Sequence, residues 1–170
     1  MVEALGVLAD VHIALVVSAP KSAYVTSLRE RAAALSASER LHVLPYVPVD
    51  HIVSFVSEAD AGVIPILHFP NHEIALITKF LEYSHARLPI VVSDVKTMAE
   101  TVRRTGQGEV FEAENLGDFV RAAKAVLAAP ERYRQAYDAP GLLEQWTWEN
   151  SAAVLDAIFD RLRRKQSNAK

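Results

Sequence analysis

The chain has 170 residues, 51% of them apolar and 23% charged, which is enough for one domain with its own core and excludes a chain disordered throughout. Its formal net charge of -3 gives no field of the sign that nucleic acid attracts, so no nucleic-acid partner is expected. The lack of cysteine excludes disulfides, thiolate metal sites and a cysteine nucleophile. No basic leader opens the sequence and no apolar run approaches the roughly 20 residues of a membrane span. The expectation is a cytoplasmic protein with at most peripheral membrane contact.

In chain order, Val2, Leu5 and Leu8 have helical spacing, so residues 2–9 read as the end of a helix. A complete βαβ fold then requires a strand before residue 1, and the chain reads as a fragment with its first strand missing. The nearly continuous apolar run at residues 12–17 predicts a strand buried on both faces, and residues 41–44, 61–64, 89–92 and 109–111 predict four more. Val25, Leu28, Ala32 and Leu35 predict a helix, as do Val49, Ile52, Val53 and Val56, and again Leu116, Phe119, Val120, Ala123 and Leu127. Beyond Pro130 an irregular passage with Tyr133, Tyr137, Pro140 and Gly141 leads to Trp146-Thr147-Trp148. A last helix carries Val154, Leu155, Ile158, Phe159 and Leu162 on one stripe and closes on Arg161, Arg163, Arg164 and Lys165. These cations complement the dipole at a helix C-terminus, the alternative being a contact with acidic lipid head groups. Residues 166–170 are expected to fray. Alternating strands and helices predict an α/β domain of the three-layer, Rossmann-like kind with a parallel sheet. Residues 1–145 form that domain and residues 146–170 a closing helix and tail.

Ligands of open parallel sheets sit at the carboxyl ends of the strands, and the only long loop there is residues 66–77. It runs into a helix predicted to begin at Thr78, a good N-cap residue. Lys79 in the first turn opposes the helix dipole by about 0.3–1 kcal/mol, a cost reversed if an anion occupies the free amides. Thr78 and Lys79 are therefore the candidate phosphate site. Glu82 shares a face with Lys79 and could accept hydrogen bonds from ribose hydroxyls, or pair with Lys79. Phe80 and Leu81 turn towards the core. His68 and His72 are four apart, but Pro70 between them breaks the helix that would aim both rings at one ion, so no metal site is expected. His85 reads as a dipole partner, and Asp60 and Asp94 as capping or turn residues.

The run from Ile74 through Thr78-Lys79-Phe80-Leu81-Glu82-Tyr83 to Pro89-Ile90-Val91-Val92-Ser93-Asp94 resembles the donor-site signature of GT-B glycosyltransferases similar to family 4. Three other elements are similar to that family: Ala59-Asp60-Ala61-Gly62-Val63-Ile64-Pro65, Leu44-Pro45-Tyr46-Val47-Pro48, and Trp146-Thr147-Trp148-Glu149 before the closing helix. Ile77 and Arg87 stand where the family usually has Pro or Gly and Gly, respectively. The resemblance implies one half of a GT-B fold, the nucleotide-sugar-binding one. It implies that Glu82 binds ribose, the Thr78 and Lys79 amides bind diphosphate, and Tyr46 and Val47 border the base. Glu73 would be the catalytic acid at the transferred sugar, although it lies one residue upstream of the usual spacing, and His72 joins the donor-binding set. The implied activity is retaining transfer of a sugar from a nucleoside diphosphate sugar to a glycan, lipid-linked or small-molecule acceptor, with no obligatory metal and no other cofactor. The cations that neutralise the leaving diphosphate and the acceptor-binding N-terminal domain are expected outside this chain, leaving it inactive alone. The alternatives are a GT-B sugar-nucleotide epimerase and a non-enzymatic module that docks a partner through the last helix.

Overall fold

The computed structural model describes residues 1–167. Of the end expected to fray, residues 168–170 lie outside the described residues. Strand and helix alternate as β1 (Ile13–Val16), α1 (Ala23–Ala34), β2 (Leu41–Leu44), α2 (Ile52–Val56), β3 (Gly62–Ile64), α3 (Pro70–Glu73), α4 (Thr78–His85), β4 (Ile90–Ser93), α5 (Lys96–Thr105), β5 (Gly108–Phe111), α6 (Leu116–Ala128), α7 (Pro130–Arg134) and α8 (Trp148–Ser167). Residues 2–9, expected to end a helix, hold a short 3-10 helix, Val2–Gly6. Helix α5 was not anticipated, although Val95, Met98, Ala99 and Val102 carry helical spacing and all four are buried.

Every strand pair is parallel, but the strands form two groups: β1 with β2, and β3–β4–β5 in that order. The expected single sheet is thus interrupted between β1 and β3. The two groups are joined by side chains of residues 2–8. Val2 and Leu5 pack with Leu28, Ala32 and Leu41, while Ala4 and Leu8 pack with Val91, Phe111 and Phe119. The β3–β5 group is a true three-layer unit. Ile64, Ile90 and Val92 meet Phe80 of α4 and Met98 and Val102 of α5 on one face, and Val91 and Phe111 meet α6 on the other.

The β1–β2 group differs from its expectation. Ile13, Leu15 and Leu41 face α1, but Ala14, Val16 and His42 on the opposite face are exposed. An apolar run therefore does not mean two covered faces here, because α2 is five residues long and buries none of its side chains. The expected apolar stripe of α8 exists, yet Val154, Leu155, Ile158, Phe159 and Leu162 are all exposed. Among the described residues, no helix is long and apolar enough to cross a membrane.

Two glycines set the spacing around β3–β5. A Cβ on Gly108 would lie 1.8 Å from the carbonyl oxygen of Ile90, so only glycine lets β5 approach β4 there. A Cβ on Gly62 would strike the Tyr83 ring at 2.3 Å, so this glycine seats α4 on β3. The C-terminus of α4 closes as a Schellman motif: the Arg87 amide donates to Ser84 O at 2.9 Å and the Leu88 amide to Tyr83 O at 3.0 Å. Arg87 has a φ of 57°, in the left-handed region where its expected counterpart, Gly, carries no steric penalty.

Candidate functional site

The carboxyl ends of β3, β4 and β5 bring together residues 65–77, the turn at Asp94 and the segment around Ala113. Because the long loop leaves a buried strand, its polar groups need partners, and they find them on neighbouring turns. Ser93 Oγ donates to Ile66 O at 2.6 Å, and Thr97 Oγ1 donates to Glu73 O at 2.6 Å. The loop also closes on itself, with His72 Nδ1 2.6 Å from Leu67 O and the His72 ring edge-on to Phe69.

Glu73 ends α3, a single turn that starts on Pro70, where the missing amide hydrogen costs nothing. Both of its carboxylate oxygens are engaged. Oε2 accepts the Lys96 amide at 2.8 Å, and Oε1 lies 2.6 Å from His68 Nδ1. The Lys96 amide, then the His68 contact, hold its pKa below the ordinary carboxylate range. On its other side His68 Nε2 lies 2.9 Å from Asp94 Oδ1, which also accepts the Ala113 amide at 3.0 Å. Burial pushes Asp94 up, but the Ala113 amide and His68 outweigh it and its pKa falls. His68 is raised, first by Glu73 and then by Asp94. Asp94, expected to cap or turn, instead ties the β4–α5 turn to the Ala113 amide, 19 residues away, and to His68. The bridge through His68 had no signal in the sequence, because Asp94 is 26 residues away.

Helix α4 begins at Thr78, as expected, and so one position earlier than a Thr78 cap would allow. Ile77, extended at φ -72°, ψ 157°, occupies the N-cap, Thr78 is the first helical residue, and no side chain caps the end. The extended conformation of the chain after the loop puts Ile77 there, where it packs at the edge of the Ile64–Phe80 core. The Phe80 amide bonds Ile77 O at 2.9 Å. Thr78 and Lys79 are exposed and Glu82 is half-buried. Among the described residues no ion pair joins Lys79 to Glu82, so the plainer expectation for that pair is not realised. Phe80 is fully buried and packs edge-on against Trp146, with ring centroids 5.6 Å apart, which fixes the face that Lys79 and Glu82 turn outward. Leu81 lines the same core, as expected.

Tyr46, 66% exposed, and half-buried Val47 follow the carboxyl end of β2, in the other strand group. No hydrogen bond links them to the α4 end, but the helix after them, α2, packs beside α4. The structure therefore gathers Glu73 and His72 on one loop and Thr78, Lys79 and Glu82 on the helix it feeds, with Tyr46 and Val47 on a separate loop.

The family model of glycosyl transferases group 1 matches residues 2–139. No protein of curated function matches the chain in sequence. Among solved structures, a sucrose-phosphate synthase from Thermosynechococcus elongatus is similar at a TM-score of 0.76 and 18% identity, over 96% of this chain and 41% of that one. A glycosyltransferase from Rickettsia africae gives 0.68 and 14%, over 81% and 36%. WaaG, a glycosyltransferase involved in lipopolysaccharide biosynthesis, gives 0.58 and 18%, over 85% and 40%. At these identities the likeness is one of fold, that of GT-B glycosyltransferases. The chain spans about two fifths of the length of these structures.

Proposed function

Since the chain belongs to the glycosyl transferases group 1 family, we propose that it is the donor-binding part of a retaining glycosyltransferase, which moves a sugar from a nucleoside diphosphate sugar to a glycan, lipid-linked or small-molecule acceptor. The observation that carries this reading is the N-terminus of α4. It is an uncapped helix end at the carboxyl edge of a parallel sheet, with Lys79 exposed in its first turn and Glu82 unpaired one turn on. Free amides and a cation suit a diphosphate, and the carboxylate suits ribose hydroxyls. Tyr46 and Val47 border the base, and His72 lies against the donor beside Glu73. Glu73 contacts the transferred sugar: each of its oxygens keeps a lone pair beyond the one engaged by His68 or the Lys96 amide. Such a site works by positioning the donor and stabilising the leaving diphosphate, which requires no bound metal. The acceptor domain and further cations lie in another part of the enzyme, and we place the enzyme in the cytoplasm.

Calorimetry with UDP, GDP and ADP tests the reading. The chain binds one of them, Lys79→Ala weakens it roughly tenfold, as loss of one charge-assisted phosphate contact should, and Glu82→Gln abolishes preference for that nucleotide over its 2′,3′-dideoxy analogue. Unchanged binding and preference in both variants would remove the donor site from α4.

A further inference from the structure

His68 lies outside every role assigned so far, and its geometry is unusual. Its two ring nitrogens face two different carboxylates, Glu73 at 2.6 Å and Asp94 at 2.9 Å. Ionised carboxylates only accept hydrogen bonds, so a ring that satisfies both must carry a proton on each nitrogen. The bridge joins the β3–α4 loop to the β4–α5 turn, and through the Ala113 amide on Asp94 it reaches the end of β5. Glu73 is held by the same ring and by the Lys96 amide, so its orientation depends on the ring donating to it, and only the charged ring donates to Glu73 and Asp94 together.

We propose that His68 is a positioning residue of the donor site: its imidazolium holds the Glu73 carboxylate towards the transferred sugar and holds the residue 65–77 loop so that the first turn of α4 meets the diphosphate. Resting on the donor-site reading above, it adds a residue that touches no substrate and acts through Glu73 and the loop. A neutral ring can donate to only one of the two acids, so deprotonation releases one anchor.

The charged groups facing the ring are Glu73 from α3 and Asp94 from the β4–α5 turn, while α5 and the end of β5 contribute only the Lys96 and Ala113 amides to those acids. The side chain is 51% exposed, so its proton exchanges with solvent. Its pKa is raised above the ordinary 6.5, with Glu73 the larger cause. The bridge is therefore complete below 6.5 and is lost as pH rises through the raised value. Donor affinity should follow the same sign, falling on the alkaline side.

The test compares wild type with His68→Gln and His68→Arg, using calorimetry with a nucleoside diphosphate sugar, whose phosphates do not titrate near neutrality, and with the corresponding nucleoside diphosphate. An arginine can bridge two carboxylates at any of these pH values. In wild type the nucleotide sugar binds more weakly as pH rises, and nitrogen NMR shows the His68 ring still doubly protonated above the ordinary 6.5. His68→Gln at pH 6 loses roughly tenfold in nucleotide-sugar affinity, less for the nucleoside diphosphate, and has a flat profile. His68→Arg restores affinity and stays flat. If wild type binds nucleotide but His68→Gln matches it in affinity and pH profile, the positioning role is overturned while the donor site stands. If wild type binds none of the nucleotides, the donor site falls and this role with it.

Discussion

The N-termini of α4 and α5 lie side by side at the carboxyl edge of the β3–β5 group, and neither is capped by its own N-cap residue, Ile77 in one case and Val95 in the other. They differ in what faces them. The α5 end is satisfied by a protein anion, since Glu73 Oε2 accepts the Lys96 amide. Both ends carry an exposed lysine in the first turn, Lys79 and Lys96, but among the described residues no protein carboxylate meets the α4 end. Side-chain caps close α1 and α6, where Ser22 accepts from the Val25 amide and Asn115 from the Asp118 amide, whereas the short helices α2, α3 and α7 have none. Of the two ends, the one with no protein anion against its exposed amides is the one where an external anion gains more.

Both helix ends rest on the β4–β5 contact. Gly108→Ala drives a methyl into the Ile90 backbone and should cost about 3 kcal/mol or more, read as a lower urea midpoint with an unchanged slope. A smaller change gives the α4 end the internal carboxylate that the α5 end has. Ile77→Asp supplies the missing cap, so nucleoside diphosphate affinity should fall about tenfold, because an internal carboxylate now competes for the amides. Stability should change by less than about 1 kcal/mol in the same variant, since the new cap offsets the lost packing of a half-buried isoleucine. A fall in affinity accompanied by general unfolding would assign the effect to packing instead. The smallest effect concerns the far end of α4. Arg87→Gly relieves a left-handed residue that costs about 1 kcal/mol and loses only an exposed ion pair with Asp138, so thermal denaturation should show a gain of about 0.5 kcal/mol with nucleotide affinity unchanged.

Much of the fold was legible because burial leaves periodic traces. All five strands lie where unbroken apolar runs placed them, and α1 and α6 follow the spacing of Val25, Leu28 and Ala32 and of Phe119, Val120 and Ala123. What the pattern could not supply is which faces find a neighbour. Ala14 and Val16 read as doubly buried, yet no helix covers them, and the ladder between β1 and β3 is interrupted. At the site, Lys79 and Glu82 were readable because three-residue spacing on a helix defines a face locally. The cap was misplaced by one residue because Thr78 has the better chemistry, while the extended approach of the loop puts Ile77 at that position. His68 was invisible as a bridge because its partners are five and 26 residues away and the contact exists only once the loop folds over the β4–α5 turn.

In the proposed donor site a nucleoside diphosphate is held by the open end of α4 and not by the end that Glu73 already occupies. Amide chemical shifts during titration with UDP, GDP and ADP test it most directly. The account predicts that Thr78, Lys79 and Phe80 shift with one of these nucleotides while Lys96 stays in place, and that the same shifts are absent in Ile77→Asp. Shifts centred on Lys96, or on neither helix end for all three nucleotides, would contradict it.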